Sequence, residues 1–449
     1  MNGSAITAEG LINARKTSGL QIVVLVMCFL VVAMDGFDVA SVGYVAPLLK
    51  REWLLGPQQL GTIFAAGLVG LTVGSFVFGP LADRIGRKRT IVMSVVLFGL
   101  GSLLTSFATT PGWFIALRFL TGVGLGGGMP TAITLSSEYS PERHRPMLVT
   151  LMFCGFTIGL AFGGQLAALI MPAWGWRGVF VAGGVAPLVL APLLWWMLPE
   201  SLRFMLGKRK YEAEAQRVLD RLSDAAAIAA EPLTHAPTTS TTAAAPSVST
   251  RPYATLFNAH YRKGTLLLWL AFFCTLWVYY QISSWLPSVL ADSGMSAARA
   301  AQVSALLPVS GTVGALVNAA LMRRMNPFIV LSVSYVVAAI SIAFIGHAMN
   351  NPVLLAVAVW FSGLGLSGAQ TGANVLVAGF YETRARATGV SWALGVGRVG
   401  SIIGSMTGGL LLALLHSPAV AFPVFAAPAL VAAIAMLGTG WLYRAKAVH

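Results

Sequence analysis

The chain has 449 residues, of which 57% are hydrophobic and only 10% are charged, with a formal net charge of +14. Soluble domains contain about 25% charged residues, so this composition excludes an ordinary soluble domain and indicates a protein with many membrane-spanning helices. The three cysteines all lie in apolar segments, which argues against a disulfide framework.

Twelve apolar segments are long enough to cross a bilayer, for which about 20 helical residues are needed. The segments are 21–48, 60–82, 89–109, 112–137, 146–171, 177–198, 264–290, 299–322, 327–348, 352–379, 386–413 and 418–442. The predicted fold is therefore an all-α integral membrane protein with twelve transmembrane helices.

The distribution of lysine and arginine predicts the orientation of these helices. If both termini are cytoplasmic, the inside segments hold 23 of these residues and the outside loops only four, namely Lys50, Arg51, Arg177 and Arg299. Cytoplasmic loops carry the excess of basic residues in membrane proteins. The sequence therefore predicts an N-in/C-in topology, and the positive charge is assigned to membrane insertion rather than to nucleic-acid binding.

The first apolar segment contains two acidic residues in the stretch "DGFD". Asp35 and Asp38 are three residues apart and would share one face of a helix. An ionisable side chain at this depth is costly and is functional in most membrane proteins. We interpret both as proton-coupling residues. Asp38 lies nearer in depth to Arg118, which makes Asp35 the slightly preferred proton carrier.

The loop after the second segment, "GPLADRIGRKR" at residues 79–89, places one acid among four cations. Asp83 can pair with these bases or with a neighbouring helix end, and such a cluster can latch the cytoplasmic side in one conformation. Asp83, Arg84 and Arg87 are therefore predicted to be gating residues. The alternative is that the cations only fix the topology of the loop.

The fourth segment contains the stretch "RFLTGVGLGGG" at residues 118–128, whose glycines permit close packing against a neighbouring helix. At 1.5 Å per residue, Arg118 lies about 10 Å and Asp38 about 15 Å inside the membrane boundary. The sequence therefore predicts that Arg118 pairs with Asp38 or Asp35, for proton coupling or substrate binding. A static structural ion pair is the alternative.

Glu138 and Arg143 follow at the cytoplasmic end of the fourth segment, in "SEYSPERHR". Both are predicted to be gating residues, and a solvated helix-end charge is an equal alternative for Glu138. The loops "LADRIGRKR" and "LMRRMNP" place Arg84 and Arg324 240 residues apart, which indicates two six-helix repeats. The predicted domains are 1–198 and 264–449, two helical bundles, and 199–263, a cytoplasmic loop with a flexible linker.

Several polar and aromatic side chains lie at membrane depth. Tyr279 and Tyr280 in the seventh segment can offer ring faces and hydrogen bonds to a ring-shaped substrate. Helix packing or an interfacial aromatic belt is the alternative. Four more candidate substrate-binding residues in apolar segments are Gln165, Gln370, Asn374 and Trp392.

Arg398 lies 12 residues into the eleventh segment, near the middle of the bilayer, and segments seven to twelve contain no acid. We therefore predict that Arg398 binds an anionic substrate, because a guanidinium matches a carboxylate in a bidentate manner. The alternative is that its partner is an aspartate of the first segment, in the other half of the chain.

The loop "GPLADRIGRKR" resembles a signature of the major facilitator superfamily. The stretches "DGFDVASVGYVAPLLKREW", "RFLTGVGLGGGMPTAITLSSEYSPER" and "RATGVSWALGVGRVGSIIG" resemble the aromatic acid:H⁺ symporters, most closely their 4-hydroxybenzoate/protocatechuate branch. The resemblance covers nearly all twelve segments but not residues 225–250. Arg323 departs from the pattern, because it stands where the second loop copy would carry an acid.

The resemblance implies proton-coupled uptake of a small aromatic carboxylate, such as 4-hydroxybenzoate or protocatechuate, across a bacterial inner membrane by alternating access. It also implies transport roles for charged residues already singled out, namely Asp35, Asp38, Asp83, Arg118, Glu138 and Arg398.

Two other functions stay open: a proton-antiport exporter of drugs or other metabolites, and a chemoreceptor for aromatic acids. We expect no enzymatic activity and no cofactor, since the chain has no Walker loop and no metal-ligand spacing on a helix. The expected partners are an aromatic acid, protons and the lipid bilayer, and the chain is expected to act as a monomer.

Overall fold

The structure is a computed structural model that describes residues 18–206, 211–222, 256–258 and 260–443. Nearly all of these residues are helical, and we number the helices in chain order. They are α1 (Gly19–Trp53), α2 (Pro57–Ile85), α3 (Arg87–Thr105), α4 (Pro111–Tyr139), α5 (Arg145–Met197), α6 (Leu202–Leu206), α7 (Glu212–Leu222), α8 (Arg262–Asp292), α9 (Ala297–Ser304), α10 (Leu306–Met322), α11 (Pro327–Ala348), α12 (Pro352–Phe380), α13 (Thr383–Leu415) and α14 (Pro418–Tyr443).

The helices of membrane length agree with the predicted segments. Ten stretches of the described chain are long and apolar enough to span a bilayer, with α9 and α10 taken together as one of them. α5 is one of the ten although it consists of two arms, and α4 is not among them, since Arg118 and many glycines lower its hydropathy. The ten stretches count α5 once and omit α4, so the second arm of α5 and α4 bring the described chain to twelve membrane-length helices. The predicted all-α fold is confirmed.

The two arms of α5 meet at Gly175. This residue has φ +62° and ψ −164° inside the 53-residue helical run, a conformation that is accessible essentially only to glycine. Beyond it, Trp176 Nε1 donates a hydrogen bond of 2.6 Å to Glu52 Oε2, and Arg177 forms an ion pair of 2.9 Å with the same carboxylate. The turn between the two arms is therefore attached to the end of α1.

Proline and asparagine mark the starts of several helices. α2, α4, α11 and α12 each have a proline in the first turn, where the missing N–H costs no hydrogen bond. Asn326 Oδ1 accepts a hydrogen bond from Phe328 N at 2.9 Å, and Asn351 Oδ1 accepts one from Val353 N at 3.0 Å. These local signals fix helix starts close to the predicted boundaries.

The glycine run of α4 packs as the sequence predicts. A Cβ atom at Gly122 would clash with the backbone carbonyl of Gly67, and one at Gly126 with that of Leu71, both in α2. Because glycine has no side chain, the two helix backbones can touch at these two positions. Close van der Waals packing of this kind favours the association of helices in lipid. Close packing against a neighbouring helix is confirmed.

The buried apolar side chains form three large cores, one for each half of the chain and one where the halves meet, and a small fourth cluster around Tyr261 and Tyr381. One core draws on α8 to α14 and another on α1 to α7. A third belongs mainly to the first half but includes Trp285, Ala301 and Ala305 of the second. The exact domain limits 198 and 264 stay predictions, and the expected linker 225–250 lies outside the described residues.

The third core lies at one end of the molecule. We call the end near residues 19 and 443 the terminal end and the opposite one, where α1 finishes, the distal end. At the distal end, α1 and α8 approach so closely that a Cβ atom at Gly43 would be 2.8 Å from the carbonyl oxygen of Ser283. Nearby, Lys50 and Asp292 form an ion pair of 2.6 Å between the same helices. The two halves are therefore held together at the distal end.

Candidate functional site

Four charged side chains lie within long helices, at least seven residues from either helix end. Asp35 and Asp38 belong to α1, and Arg118 belongs to α4; these three are only 1 to 2% exposed. Arg398 in α13 is half-buried. The burial of ionisable groups at this depth requires compensation by opposite charges or hydrogen bonds.

Asp38 and Arg118 form the ion pair expected from their depths. Arg118 Nη1 lies 3.0 Å from Asp38 Oδ2, and Arg118 Nη2 donates a hydrogen bond of 2.9 Å to Thr121 Oγ1. A longer contact of 3.4 Å reaches Thr105 Oγ1, and the guanidinium lies 4.8 Å from the ring centre of Phe180. This arginine is therefore neutralised and oriented entirely by the first half of the chain.

The glycine between the two aspartates explains their placement. A Cβ atom at Gly36 would clash with the carbonyl oxygen of Phe156, so α1 and α5 cross in close contact at this point. Because Gly36 has no side chain, α1 can pack directly against the backbone of α5 at this crossing. Asp35 and Asp38 on either side of it are consequently buried by neighbouring helices rather than exposed to lipid.

Asp35 is the least compensated of these groups. Neither of its carboxylate oxygens accepts a hydrogen bond from a described residue, whereas Asp38 leaves only one oxygen in that condition. A buried carboxylate without donors is uncommon, and such groups are concentrated at functional sites. The sequence-based preference for Asp35 as the freer of the two carboxylates matches this arrangement.

Arg398 is the cation that comes nearest to compensating Asp35. It is close enough to interact electrostatically with the Asp35 carboxylate and also with Tyr280 of α8. Its acidic neighbour therefore comes from the other half of the chain, as the alternative interpretation of the sequence expects. Arg398 as a whole is half-buried, unlike Asp35.

Two small clefts flank the crossing of α1 and α8 and share Val39, Gly43, Tyr280 and Ser284. The first, the charged cleft, has a volume of about 40 Å³ and contains Asp38, Arg118 and Phe64 as its distinctive side chains. The second, the hydroxyl cleft, has a volume of about 30 Å³, and its walls include a set of hydroxyl groups from Tyr44, Tyr279, Tyr280, Ser283, Ser284 and Ser304. Tyr279 and Tyr280 thus line clefts, as expected for a binding role.

The other predicted substrate-binding residues are elsewhere. Gln370 Nε2 donates a hydrogen bond of 3.3 Å to Asn374 Oδ1, one turn further along α12, and both side chains are half-buried. Gln165 is exposed. Trp392 is 52% exposed and stacks on Trp269, with ring centres 5.5 Å apart. None of these four candidates lines either cleft, and their substrate contacts stay predictions.

Some of the predicted gating residues form a cluster at the terminal end. Arg87 lies 3.2 Å from Asp83 and 3.6 Å from Glu138, so it joins the ends of α2, α3 and α4. Arg84 and Arg143 lie exposed at the same end. The cluster supplies the ion pairs that were expected of a latch, and it is built within the first half.

A third acid of this cluster is Glu200, in the sequence "PESLRF" that follows α5. Its side chain is 5% exposed, and Glu200 Oε1 accepts hydrogen bonds from Arg87 N at 2.6 Å and from Lys88 N at 3.0 Å. It therefore caps the start of α3, where backbone N–H groups have no helical acceptor. Ser201, the next residue, donates a hydrogen bond to Glu138.

The serines in the hydroxyl cleft were not predictable from the sequence. Ser283, Ser284 and Ser304 are small polar residues of a type that is common at helix contacts in membranes, so only their positions in space distinguish them. The described residues contain no group of three or more His, Cys, Asp or Glu side chains that would hold a metal ion.

Comparison with known proteins agrees with this architecture. The model of the Major Facilitator Superfamily matches residues 28–355. A gallate transporter of Pseudomonas putida is 41% identical over 97% of this chain and 95% of its own length. The 4-hydroxybenzoate transporter PcaK of Pseudomonas aeruginosa is 39% identical over 98% of this chain and 97% of its own.

The fold is also that of solved transporters. The xylose transporter XylE from E. coli, in a partially occluded inward-open conformation, superposes with a TM-score of 0.71 at 15% identity, and the match covers 96% of this chain and 98% of that one. The relatives are transporters, so the chain is a transporter and not an enzyme. The chain belongs to the Major Facilitator Superfamily, and its relatives include gallate and 4-hydroxybenzoate transporters.

Proposed function

We propose that this protein takes up a small aromatic carboxylate, such as 4-hydroxybenzoate, protocatechuate or gallate, together with protons. The observation that carries the proposal is the electrostatic interaction of Arg398 with the buried carboxylate of Asp35, which belongs to the other half of the chain. Arg398 is the substrate-binding cation, and Asp35 is the proton carrier. The gallate and 4-hydroxybenzoate transporters among its relatives support the choice of substrate.

Competition for one guanidinium links the substrate to the proton. A substrate carboxylate that binds Arg398 draws this cation away from Asp35, which accepts no hydrogen bond from a described residue. Low-dielectric surroundings disfavour an ionised carboxylate, while a neighbouring cation favours it. Asp35 therefore takes up a proton when the substrate arrives, and the loaded site becomes neutral enough to reorient.

The ion pair of Asp38 and Arg118 has a supporting part in this scheme. It keeps Arg118 neutralised within the first half, so that the substrate carboxylate is directed to Arg398. Arg118 and Asp38 also line the charged cleft beside Tyr280. Tyr280 also interacts electrostatically with Arg398, so a change of charge at Asp38 affects the substrate site through this shared neighbour. Asp38 and Arg118 therefore both belong to the coupling machinery.

Alternating access follows from the contacts between the halves. In the proposed N-in/C-in orientation, the distal end faces outwards, and its closure at Gly43 and Lys50 corresponds to an inward-facing state. The bundles 1–198 and 264–449 rock about the central site. The cluster of Asp83, Arg87 and Glu138 then lies on the cytoplasmic side, where it holds three helix ends together as one body.

The protein is a multi-pass membrane protein, and we place it in a bacterial inner membrane, where the proton gradient drives uptake. The described helices bury Asp35, Asp38 and Arg118 within one chain. The proposed site is therefore complete in one copy, which supports a functional monomer.

The decisive experiment is uptake of labelled 4-hydroxybenzoate into proteoliposomes under an imposed pH gradient. We expect accumulation by the unaltered protein. Asp35→Asn should keep substrate binding and exchange of internal for external substrate, yet lose gradient-driven accumulation, because the exchange needs no net proton movement. Asp38→Asn tests the second carboxylate in the same way.

The outcomes separate the alternatives. Gradient-driven accumulation by both single variants would refute the coupling scheme. Proton-driven extrusion of substrate would indicate an exporter, and binding without any movement of substrate would indicate a receptor.

A further inference from the structure

We propose that the hydroxyl cleft binds a ring hydroxyl of the substrate, and that Ser304 is a specificity-determining residue that selects hydroxylated aromatic acids over unsubstituted benzoate. The inference rests on the proposed function, because it concerns the far end of a substrate whose carboxylate is held by Arg398. It assigns a role to a residue that the transport scheme above does not use.

Ser304 is the main observation. The residue is 4% exposed, and its Oγ atom makes no hydrogen bond with a described residue. Most buried hydroxyl groups of membrane helices bond to a carbonyl one turn earlier, as Ser310 Oγ does to Leu307 O at 3.0 Å. An unpaired buried hydroxyl is costly, and this one lines a cleft.

The surroundings of Ser304 are suited to a hydroxyl group. Ser283 and Ser284 line the same cleft from α8, and Tyr44 closes it with its hydroxyl already donated to Leu160 O at 2.9 Å. A phenolic hydroxyl both donates and accepts, as serine does. The cleft therefore offers partners for a ring hydroxyl and no charged side chain that would attract the carboxylate end.

Tyr280 connects this cleft to the anion site. It lines the hydroxyl cleft and is also close enough to Arg398 to interact electrostatically. Tyr280 therefore borders both the cleft that contains Ser304 and the surroundings of Arg398. A substrate whose ring lies beside Tyr280 can present its carboxylate to Arg398 and a ring hydroxyl to the cleft.

The size of the cleft restricts what enters it. Its volume of about 30 Å³ is enough for one or two groups of the size of water, and a benzene ring is larger than that. The cleft therefore admits a hydroxyl group of the substrate but not its ring. Unsubstituted benzoate leaves Ser304 unpaired, and a site of this kind discriminates strongly against the analogue that lacks the hydroxyl.

The test compares Ser304→Ala with the control Ser310→Ala, which removes a buried but paired hydroxyl from the next helix. Unlabelled 4-hydroxybenzoate, gallate and benzoate compete with labelled 4-hydroxybenzoate for uptake into proteoliposomes. With Ser304→Ala we expect inhibition constants about 10-fold weaker for the hydroxylated acids and unchanged for benzoate. Ser310→Ala should leave all the ratios unchanged, and Ser304→Thr, which keeps the hydroxyl, should preserve the selectivity.

The results distinguish this inference from the proposed function. An equal shift for benzoate and 4-hydroxybenzoate in Ser304→Ala, or no shift, overturns the role of Ser304. Equal inhibition of the unaltered protein by benzoate and by the hydroxylated acids overturns it as well, while uptake itself stands. If the unaltered protein moves no aromatic acid at all, the proposed function fails first.

Discussion

The two halves of the molecule compensate their buried charge in different ways. The first half buries Asp38 and Arg118 as a pair that is hydrogen-bonded and neutral by itself. In the described part of the second half, Arg398 lies at mid-helix, whereas the two acids, Asp292 and Glu382, are at helix ends. The acid with which it interacts electrostatically is Asp35 of the first half.

The two arrangements therefore respond differently to a change in the relative orientation of the halves. A charge that is balanced within its own bundle contributes the same energy however the two halves are oriented. A charge that is balanced across the interface depends on the orientation of the halves and on any anion between them. The second kind of contact is therefore the one that a substrate can change.

The largest expected effect comes from breaking the balanced pair. Arg118→Met leaves Asp38 buried without its cation, and removal of one partner of a buried ion pair costs about 3 to 5 kcal/mol. We expect a clear fall in the thermal unfolding temperature of the purified protein in detergent and loss of uptake.

The double variant Arg118→Met with Asp38→Leu is the control. It removes both charges, so most of the stability should return while uptake stays absent. A single variant as stable as the unaltered protein would contradict the view that this pair balances the first half.

Arg398→Gln should break the contact across the interface instead. Because the side chain is only half-buried, we expect only a small change in unfolding temperature. Affinity for 4-hydroxybenzoate should fall about 100-fold, the equivalent of about 2.7 kcal/mol, as measured by isothermal titration. Arg398→Lys should recover part of this loss, since lysine keeps the charge but not the bidentate geometry. Unchanged affinity in the glutamine variant would refute the assignment.

The loops that follow α2 and α10 occupy corresponding positions in the two halves. A comparison of Arg87 with Arg323 at these loops should show an effect of intermediate size. Arg87 is paired with Asp83 and Glu138, whereas Arg323 is exposed and has no ion pair with a described residue. Arg87→Ala should reduce the maximum rate of uptake about 10-fold, or about 1.4 kcal/mol, with little change in KM, because it unties helix ends far from the substrate. Arg323→Ala should have an effect of less than twofold. Equal effects of the two variants would remove the distinction between the loops.

The smallest effect is expected for the ion pair between the halves at the distal end. Lys50 and Asp292 are 36% and 55% exposed, and exposed pairs contribute up to about 1 kcal/mol. Lys50→Ala should shift the balance away from the distal-closed state by up to about fivefold, as measured by the accessibility of an introduced distal cysteine to a thiol reagent. The exchange of both charges, Lys50→Asp with Asp292→Lys, should restore the balance. High salt should imitate the alanine variant.

Much of this arrangement was predictable from local sequence. The lengths of the apolar segments, the prolines at helix starts and the glycines of α4 each act within a helix or on one neighbour. Arg118 had to be near an acid because its charge lies at membrane depth, and Asp38 is that acid. The substrate contacts of Trp392 and Gln165 stay predictions, because residue type and depth do not reveal which face of a helix meets a cleft.

The sequence by itself determined the number of helices, the repeat and the residues that are too costly to bury without a reason, because chain length, hydropathy and charge act locally. The tertiary structure alone decided that Arg398 interacts electrostatically with Asp35, that Glu200 caps α3 and that Ser304 lines a cleft with an unpaired hydroxyl. These contacts join residues that are more than 100 positions apart or depend on the rotation of a helix about its axis. Such distances and rotations are fixed by the packing of all the helices together, which no single segment encodes.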